Sequence, residues 1–130
     1  NPFTPKNAGG MNIATHSAPS TLHAVVEGWL SSGGAKAQSL STSNSLALIA
    51  RLVAAGHAIA ILPLPLLQEM LATGVVRTLP CVPRIEPAGF FISYMTAAQS
   101  SSIDAIVGLT RDTLLRLNFL TADRKANGPA

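Results

Sequence analysis

Hydroxyl-bearing side chains gather at two places in this 130-residue chain, and each place precedes a predicted helix. The beginning of a helix offers unpaired backbone N–H groups and a partial positive charge, and hydroxyls add further donors. Such a donor set suits a carboxylate or another small anion. One polar residue before a helix is an ordinary N-cap, but the five consecutive polar residues 41–45 exceed what capping requires. The two clusters contain Thr15, Ser17, Ser20, Thr21, Ser41, Thr42, Ser43 and Ser45, with His16 and Asn44 among them.

Catalytic chemistry finds little support in the sequence. The chain has no Gly-x-Ser-x-Gly nucleophile elbow and no glycine-rich phosphate loop. Its three histidines are spread over different predicted elements without metal-ligand spacing, and its acidic residues do not pair at strand ends. Cys81 has no histidine near it in the sequence and is interpreted as an inert apolar residue. We therefore expect no enzyme activity, no catalytic residue, no metal site and no cofactor.

The elements that must position the hydroxyl clusters follow one repeated order: strand, polar cap, helix, glycine. This order predicts an α/β fold, with a doubly wound, mostly parallel sheet and helices on both faces. In such sheets, ligands bind beyond the carboxyl ends of the strands. Leu62 and Pro63 lie at the end of the third strand and would reach the same rim. The predicted strands are 11–15, 35–40 and 58–62, and the predicted helices are 21–32, 46–55 and 66–72.

The remaining segments are assigned from composition. We expect residues 1–10 to be a linker, because they hold two prolines and two glycines. Two further strands are predicted at 75–79 and 89–96, followed by an amphipathic helix at 102–120. Residues 121–130 are expected to form a disordered tail. Trp29 is expected in the core.

The bulk composition narrows the class of protein. Charged residues make up 12% of the chain and hydrophobic residues 48%, against roughly 25% charged in typical soluble domains. The apolar run 58–67 is interrupted by Pro63 and Pro65 and is shorter than the roughly 20 residues of a membrane span. The net charge is +3, but the nine Lys and Arg residues are scattered and form no basic stripe. The low charge therefore favours a fragment whose native neighbours are missing, with no membrane or direct nucleic-acid contact.

Residues 43–63 read SNSLALIARLVAAGHAIAILP. This segment resembles the effector-binding domains of LysR-type transcriptional regulators, in which a Ser-Asn/Asp-Ser run leads through lv-x-x-G-x-G-I-a-x-L-P into a buried strand. The second glycine of that pattern is Ala58 here. Residues 66–79 resemble the family's helix followed by G-x-L-v-x-L. The matching positions are Asn44, Ser45, Leu52, Val53, Gly56, Ile59, Ile61, Leu62 and Pro63.

The resemblance implies a lobe that is similar to periplasmic binding proteins of type 2. Residues 11–88 would be the second effector-binding lobe, and residues 89–120 the returning strand and C-terminal helix. A small effector, anionic by the chemistry above, would bind between the lobes of a cytoplasmic homodimer or tetramer. DNA would be bound only through an N-terminal domain absent from this chain. The implied effector contacts are Thr15, His16, Ser17, Ser41, Thr42 and Ser43, with Leu62 and Pro63 as an apolar wall.

Three alternatives remain open at this point. The first is a fragment of an extracytoplasmic solute-binding protein, which shares the fold and the cleft. The second is an enzyme with a binding-protein-like fold, such as a prephenate dehydratase or a porphobilinogen deaminase. The third is a purely structural oligomerisation module. We also expect weak or no effector binding by a single lobe, since one lobe covers about half of a small ligand, below the roughly 70–90% that pockets bury.

Overall fold

The computed structural model describes residues 2–89, 91–98, 100–117 and 119. They divide between two compact units, Asn1–Gly89 and Phe90–Ala130. The first unit contains α1 (Pro5–Gly9), β1 (Asn12–His16), α2 (Thr21–Ser32), β2 (Ser39–Ser43), α3 (Leu46–Ala54), β3 (Ile59–Ala60), a 3-10 helix (Leu64–Leu67) and α4 (Gln68–Ala72). The described part of the second unit contains a 3-10 helix (Thr96–Ala98) and α5 (Ser101–Arg116).

The described strands form a parallel sheet in the order β2-β1-β3. Ile13 and Ala14 of the central strand are buried, and α1 and α2 pack with Ile13 in the main core. Successive side chains of a strand face opposite sides, so Ala14 faces the side away from this core. The helix α3 also packs on β1, with Ile49 fully buried. The predicted α/β fold with a parallel sheet is confirmed.

The helices α2 and α3 begin where their sequences predict and end within one residue of the predicted positions. Ser20 caps α2 and Ser45 caps α3, each accepting a hydrogen bond from a backbone N–H three residues later. Gly34 and Gly56 follow the two helices with φ of +66° and +75°, the left-handed conformation that glycine adopts most readily. These signals are local, because each depends on a few neighbouring residues.

The main core closes around Trp29, as predicted. Its indole stacks on Phe3 with ring centroids 6.2 Å apart, and its Nε1 donates a hydrogen bond to the carbonyl oxygen of Pro83. Phe3 in turn pairs with Cys81 in an isolated parallel bridge. The bridge between Phe3 and Cys81 and the hydrogen bond from Trp29 to Pro83 thereby attach the segment after α4 to the core.

Residues 1–10 are not the linker that composition predicted. Pro5–Gly9 form α1, in which Thr4 and Asn7 make a capping box, and Ala8 is fully buried in the core. Proline at the first helical position suits a helix start, because its missing N–H is unpaired there in any case. The prediction counted Pro5 as a helix breaker and overlooked its position after Thr4.

The second strand also lies later than predicted. Residues 35–38 connect α2 to β2, with the N–H of Gln38 donating to the carbonyl of Gly9. The strand itself is Ser39–Ser43, so Ser41 and Thr42 lie within it and not in a loop. Pairing with β1 determines this position, because Ser-rich segments have little intrinsic preference for strands.

Two predicted strands are not present among the described residues. Residues 75–79 form no strand, and neither do residues 91–96; Phe90 lies outside the described part. The third strand is also shorter than predicted, with pairing limited to Ile59 and Ala60. The last helix begins one residue earlier than predicted and ends at Arg116, and the predicted tail 121–130 lies outside the described residues.

Candidate functional site

The carboxyl ends of β1 and β2 lie side by side. Thr15 is in register with Thr42, and His16 is in register with Ser43. Neighbouring strands are about 4.8 Å apart, so the first predicted cluster meets the second along one edge of the sheet. We call this edge, residues 15–17 and 42–43 with Leu62 and Pro63, the carboxyl rim.

The third strand runs towards the same rim. Ile59 and Ala60 pair in parallel with Ile13 and Ala14 of β1. Leu62 and Pro63 follow two and three residues later, and both are half-buried. They therefore leave the sheet at the edge where β1 and β2 end.

The helices that begin at this rim carry free donor capacity. In the first turns of α2 and α3 there is no acidic residue. The Ser20 and Ser45 hydroxyls accept from backbone N–H groups over 3.1 and 3.2 Å, and Ser43 Oγ accepts from the N–H of Ser45 over 3.0 Å. A hydroxyl that accepts still has its own proton to donate. These contacts hold the oxygens in place while leaving O–H donors for a guest.

Two polar atoms at the end of β1 are buried without a hydrogen-bond partner. They are Thr15 Oγ1 and His16 Nδ1, and Thr15 is 1% exposed. A buried donor or acceptor without a partner costs about 1–3 kcal/mol, so such atoms call for an explanation where they occur. Two of them on consecutive residues make the end of β1 the least satisfied polar region in the described part of the sheet.

Ser41, a predicted effector contact, lies within β2 and bonds to the neighbouring strand. Its hydroxyl donates to Asn12 Oδ1 over 3.2 Å, and the hydroxyl of Ser39 donates to the same oxygen over 3.0 Å. The Asn12 amide also donates to the carbonyl of His57 over 3.0 Å. Ser41 is therefore connected to the amino end of β1 and lies one residue before the carboxyl rim.

His23 contacts the end of β1, although it was not among the predicted site residues. Its Nδ1 lies 3.3 Å from the carbonyl oxygen of His16, and its Nε2 lies 3.4 Å from Glu27 Oε1. The i,i+4 spacing of His23 and Glu27 was visible in the sequence. The contact with His16 was not, because it depends on how α2 folds back onto β1.

Two surface depressions lie away from the carboxyl rim. One, of about 360 Å³, is at the amino ends of the strands and is lined by 11–12 and 56–59. The other, of about 300 Å³, lies between α2 and residues 83–86. Both are open and mostly apolar, and neither contains a predicted site residue. Neither brings together polar groups comparable to those at the ends of β1 and β2.

The structure offers little to metal or thiol chemistry in the residues that it describes. No group of three or more His, Cys, Asp or Glu side chains could hold a metal ion there. Burial raises the pKa of the Cys81 thiol, whose Sγ donates to the carbonyl of Leu79. A raised pKa lowers the thiolate fraction and hence nucleophilicity. None of the helices described has both the length and the apolar character needed to cross a membrane.

Comparison with known proteins agrees with this geometry. The sequence model of the LysR substrate binding domain matches residues 1–115, which is most of the chain. Comparisons with curated proteins and with solved structures find no match. The family is the one that residues 43–63 resemble, and its domains belong to regulators and not to enzymes. The parallel sheet, the polar carboxyl rim and this match together lead to one conclusion: the chain belongs to the LysR substrate-binding domains, the ligand-sensing domains of LysR-type transcriptional regulators.

Proposed function

We propose that this chain is the second lobe of such a domain and binds a small carboxylate effector at its carboxyl rim. The contacts are Thr15, His16 and Ser17 from β1 and its loop, and Thr42 and Ser43 from β2. Ser41 supports them from within the strand. Leu62 and Pro63 form the apolar wall against the hydrocarbon part of the effector.

The observation that carries this proposal is the register of β1 and β2. Because His16 is opposite Ser43, two polar segments 27 positions apart in sequence meet at one edge. Both segments lead directly into capped helices, so backbone and side-chain donors are directed towards the same region. The unpaired His16 Nδ1 adds a ring nitrogen that a ligand can satisfy.

The charge pattern supports an acidic effector. The first turns of α2 and α3 lack acidic residues, so the positive ends of both helices remain uncompensated. The rim residues themselves include no acidic side chain. A carboxylate would accept from several donors at once, and charge-assisted hydrogen bonds of this kind are the stronger ones.

The wider setting follows from the family. We infer a cytoplasmic regulator that self-associates as a homodimer or tetramer and contacts DNA through an N-terminal domain. The other lobe would cover the opposite side of the effector. Binding by the present chain alone would then be weak, because a single lobe provides only part of the contact surface.

Nuclear magnetic resonance suits weak binding. Small aliphatic and aromatic carboxylic acids would be titrated into ¹⁵N-labelled chain at millimolar concentration, with their neutral amides as matched probes. We expect the amide signals of His16, Ser17 and Ser43 to move with the acids and much less with the amides.

A serine pair provides the control. Ser17→Ala removes a rim hydroxyl and should weaken the response, whereas Ser31→Ala, near the other end of α2, should leave it unchanged. Signal changes concentrated around His57 at the opposite rim, or equal responses to acids and amides, would contradict the proposal.

A further inference from the structure

The ring of His23 lies between two hydrogen-bond acceptors. One is the carbonyl oxygen of His16, 3.3 Å from Nδ1, and the other is Glu27 Oε1, 3.4 Å from Nε2. A neutral imidazole has one N–H, so one of these contacts would place a nitrogen lone pair against an oxygen. Both contacts are attractive together only when the ring carries two N–H groups, as the imidazolium ion does.

The ring of His23 is largely buried, and few charged groups lie near it. Its side chain is 14% exposed, whereas that of Glu27 is 66% exposed. Among the residues that the structure describes, Glu27 is the charged group in contact with the ring. The other ionisable groups on the elements that pack against α2 are Lys6, His16, Arg84 and Glu86.

We propose that His23 is a positioning residue, and that its protonated form holds the end of β1 and the loop 17–20 against α2. The His16 carbonyl belongs to the last residue of β1, and the loop contains Ser17 of the carboxyl rim. Loss of the proton leaves the ring one N–H for two acceptors, so a ring that donates to Glu27 no longer donates to the His16 carbonyl, and the loop is held less firmly. Where the carboxyl rim binds an effector, as proposed above, affinity falls as the pH rises through the range in which histidines titrate.

The test follows the loop without any effector. The wild-type chain would be titrated between about pH 5 and pH 8, the range in which histidines change charge. Nitrogen signals of the His23 ring and amide signals of Ser17, Ala18 and Ser20 would be recorded together. We expect the loop amides to change with the same midpoint as the ring. Above that midpoint, amide exchange in the loop should be about twofold to fivefold faster than in His23→Gln at the same pH, the scale of a partly exposed ion pair.

Two variants separate the contacts. His23→Gln retains an N–H donor for the His16 carbonyl but does not titrate, so its loop amides should not respond. Glu27→Ala leaves a histidine that titrates but removes the second acceptor. A neutral ring can then donate from Nδ1 alone, so the loop should lose its response while the ring signal still changes.

His57→Gln provides the matched control, because His57 is exposed at the opposite rim. In His57→Gln, the loop amides should respond to pH as they do in the wild-type chain. The proposal is overturned if the wild-type loop does not respond to pH, or if His23→Gln or Glu27→Ala retains the wild-type response. The two proposals can fail separately. A loop that does not respond to pH says nothing against carboxylate binding at the rim, and an absence of carboxylate binding says nothing against the role of His23.

Discussion

The indole Nε1 of Trp29 donates a hydrogen bond to the carbonyl oxygen of Pro83 over 2.8 Å. This contact joins α2 to a segment 54 residues later in the chain. The same indole stacks on Phe3, whose backbone bonds to Pro80 and Val82. One side chain therefore connects the N-terminal helix region, α2 and the segment that follows α4.

Trp29→Phe should lower the free energy of unfolding by about 1–3 kcal/mol, because it leaves the Pro83 carbonyl without its donor. Urea denaturation followed by circular dichroism would measure this. Tyr94→Phe, which removes a hydroxyl from an exposed ring, should stay within about 0.5 kcal/mol of the wild-type value. Equal stability of the two variants would show that the indole hydrogen bond contributes nothing.

Two glycines of the α2 region should respond to alanine in opposite directions. A Cβ at Gly33 would lie 2.6 Å from Cβ of Pro5, so Gly33→Ala should cost about 1–3 kcal/mol through overpacking against α1. A Cβ at Gly28 meets no atom within 4 Å, and Gly28→Ala should stabilise the helix by about 0.5–1 kcal/mol. Thermal denaturation of the two variants would test the opposite signs.

The cap of α2 provides a further test. Ser20 Oγ accepts from the N–H of His23, and Ser20→Ala should cost about 1 kcal/mol. Ser20→Asp should retain most of the wild-type stability, since aspartate caps as well as serine and favours the positive helix end. A Ser20→Asp variant as unstable as Ser20→Ala would show that a negative charge is unfavourable at this helix start, which would contradict the proposed binding of a carboxylate there.

Cys81 should react slowly with iodoacetamide. Burial raises the pKa of its thiol, so at a given pH the folded chain holds less thiolate than a free cysteine does. The reaction rate should keep rising with pH beyond the point where a free cysteine levels off. Mass spectrometry of the alkylated chain, with a urea-unfolded sample as the reference, would measure the difference. A folded chain that reacts as fast as the unfolded one would contradict the expected effect of burial.

Much of the fold was predictable because its signals are local. The Ser20 and Ser45 caps, the glycines after α2 and α3, and the apolar face containing Ile49 each depend on a few neighbouring residues. Segments whose structure depends on distant partners were predicted less well. Ser39–Ser43 is a strand because β1 and Asn12 hold it, not because of its composition.

The apolar segments 75–79 and 91–96 show the converse. Their β-branched and aromatic residues favour a strand, yet a strand requires a neighbour with which to pair, and propensity does not supply one. The side chain of Phe91, for example, is 90% exposed. The same distinction applies to the carboxyl rim. Thr15, His16 and Ser43 could be named from order alone, whereas the contact of His23 with the His16 carbonyl required the folded chain.

Asn12 sits at the amino end of the central strand, where its side chain bonds to Ser39, Ser41 and the carbonyl of His57. The alignment of the sheet is thus secured at one end, and the residues proposed to meet the effector are at the other. Substitutions that alter which molecule is recognised need not disturb how the strands align. A change of ligand preference at the carboxyl rim can therefore leave the pairing that secures the sheet intact.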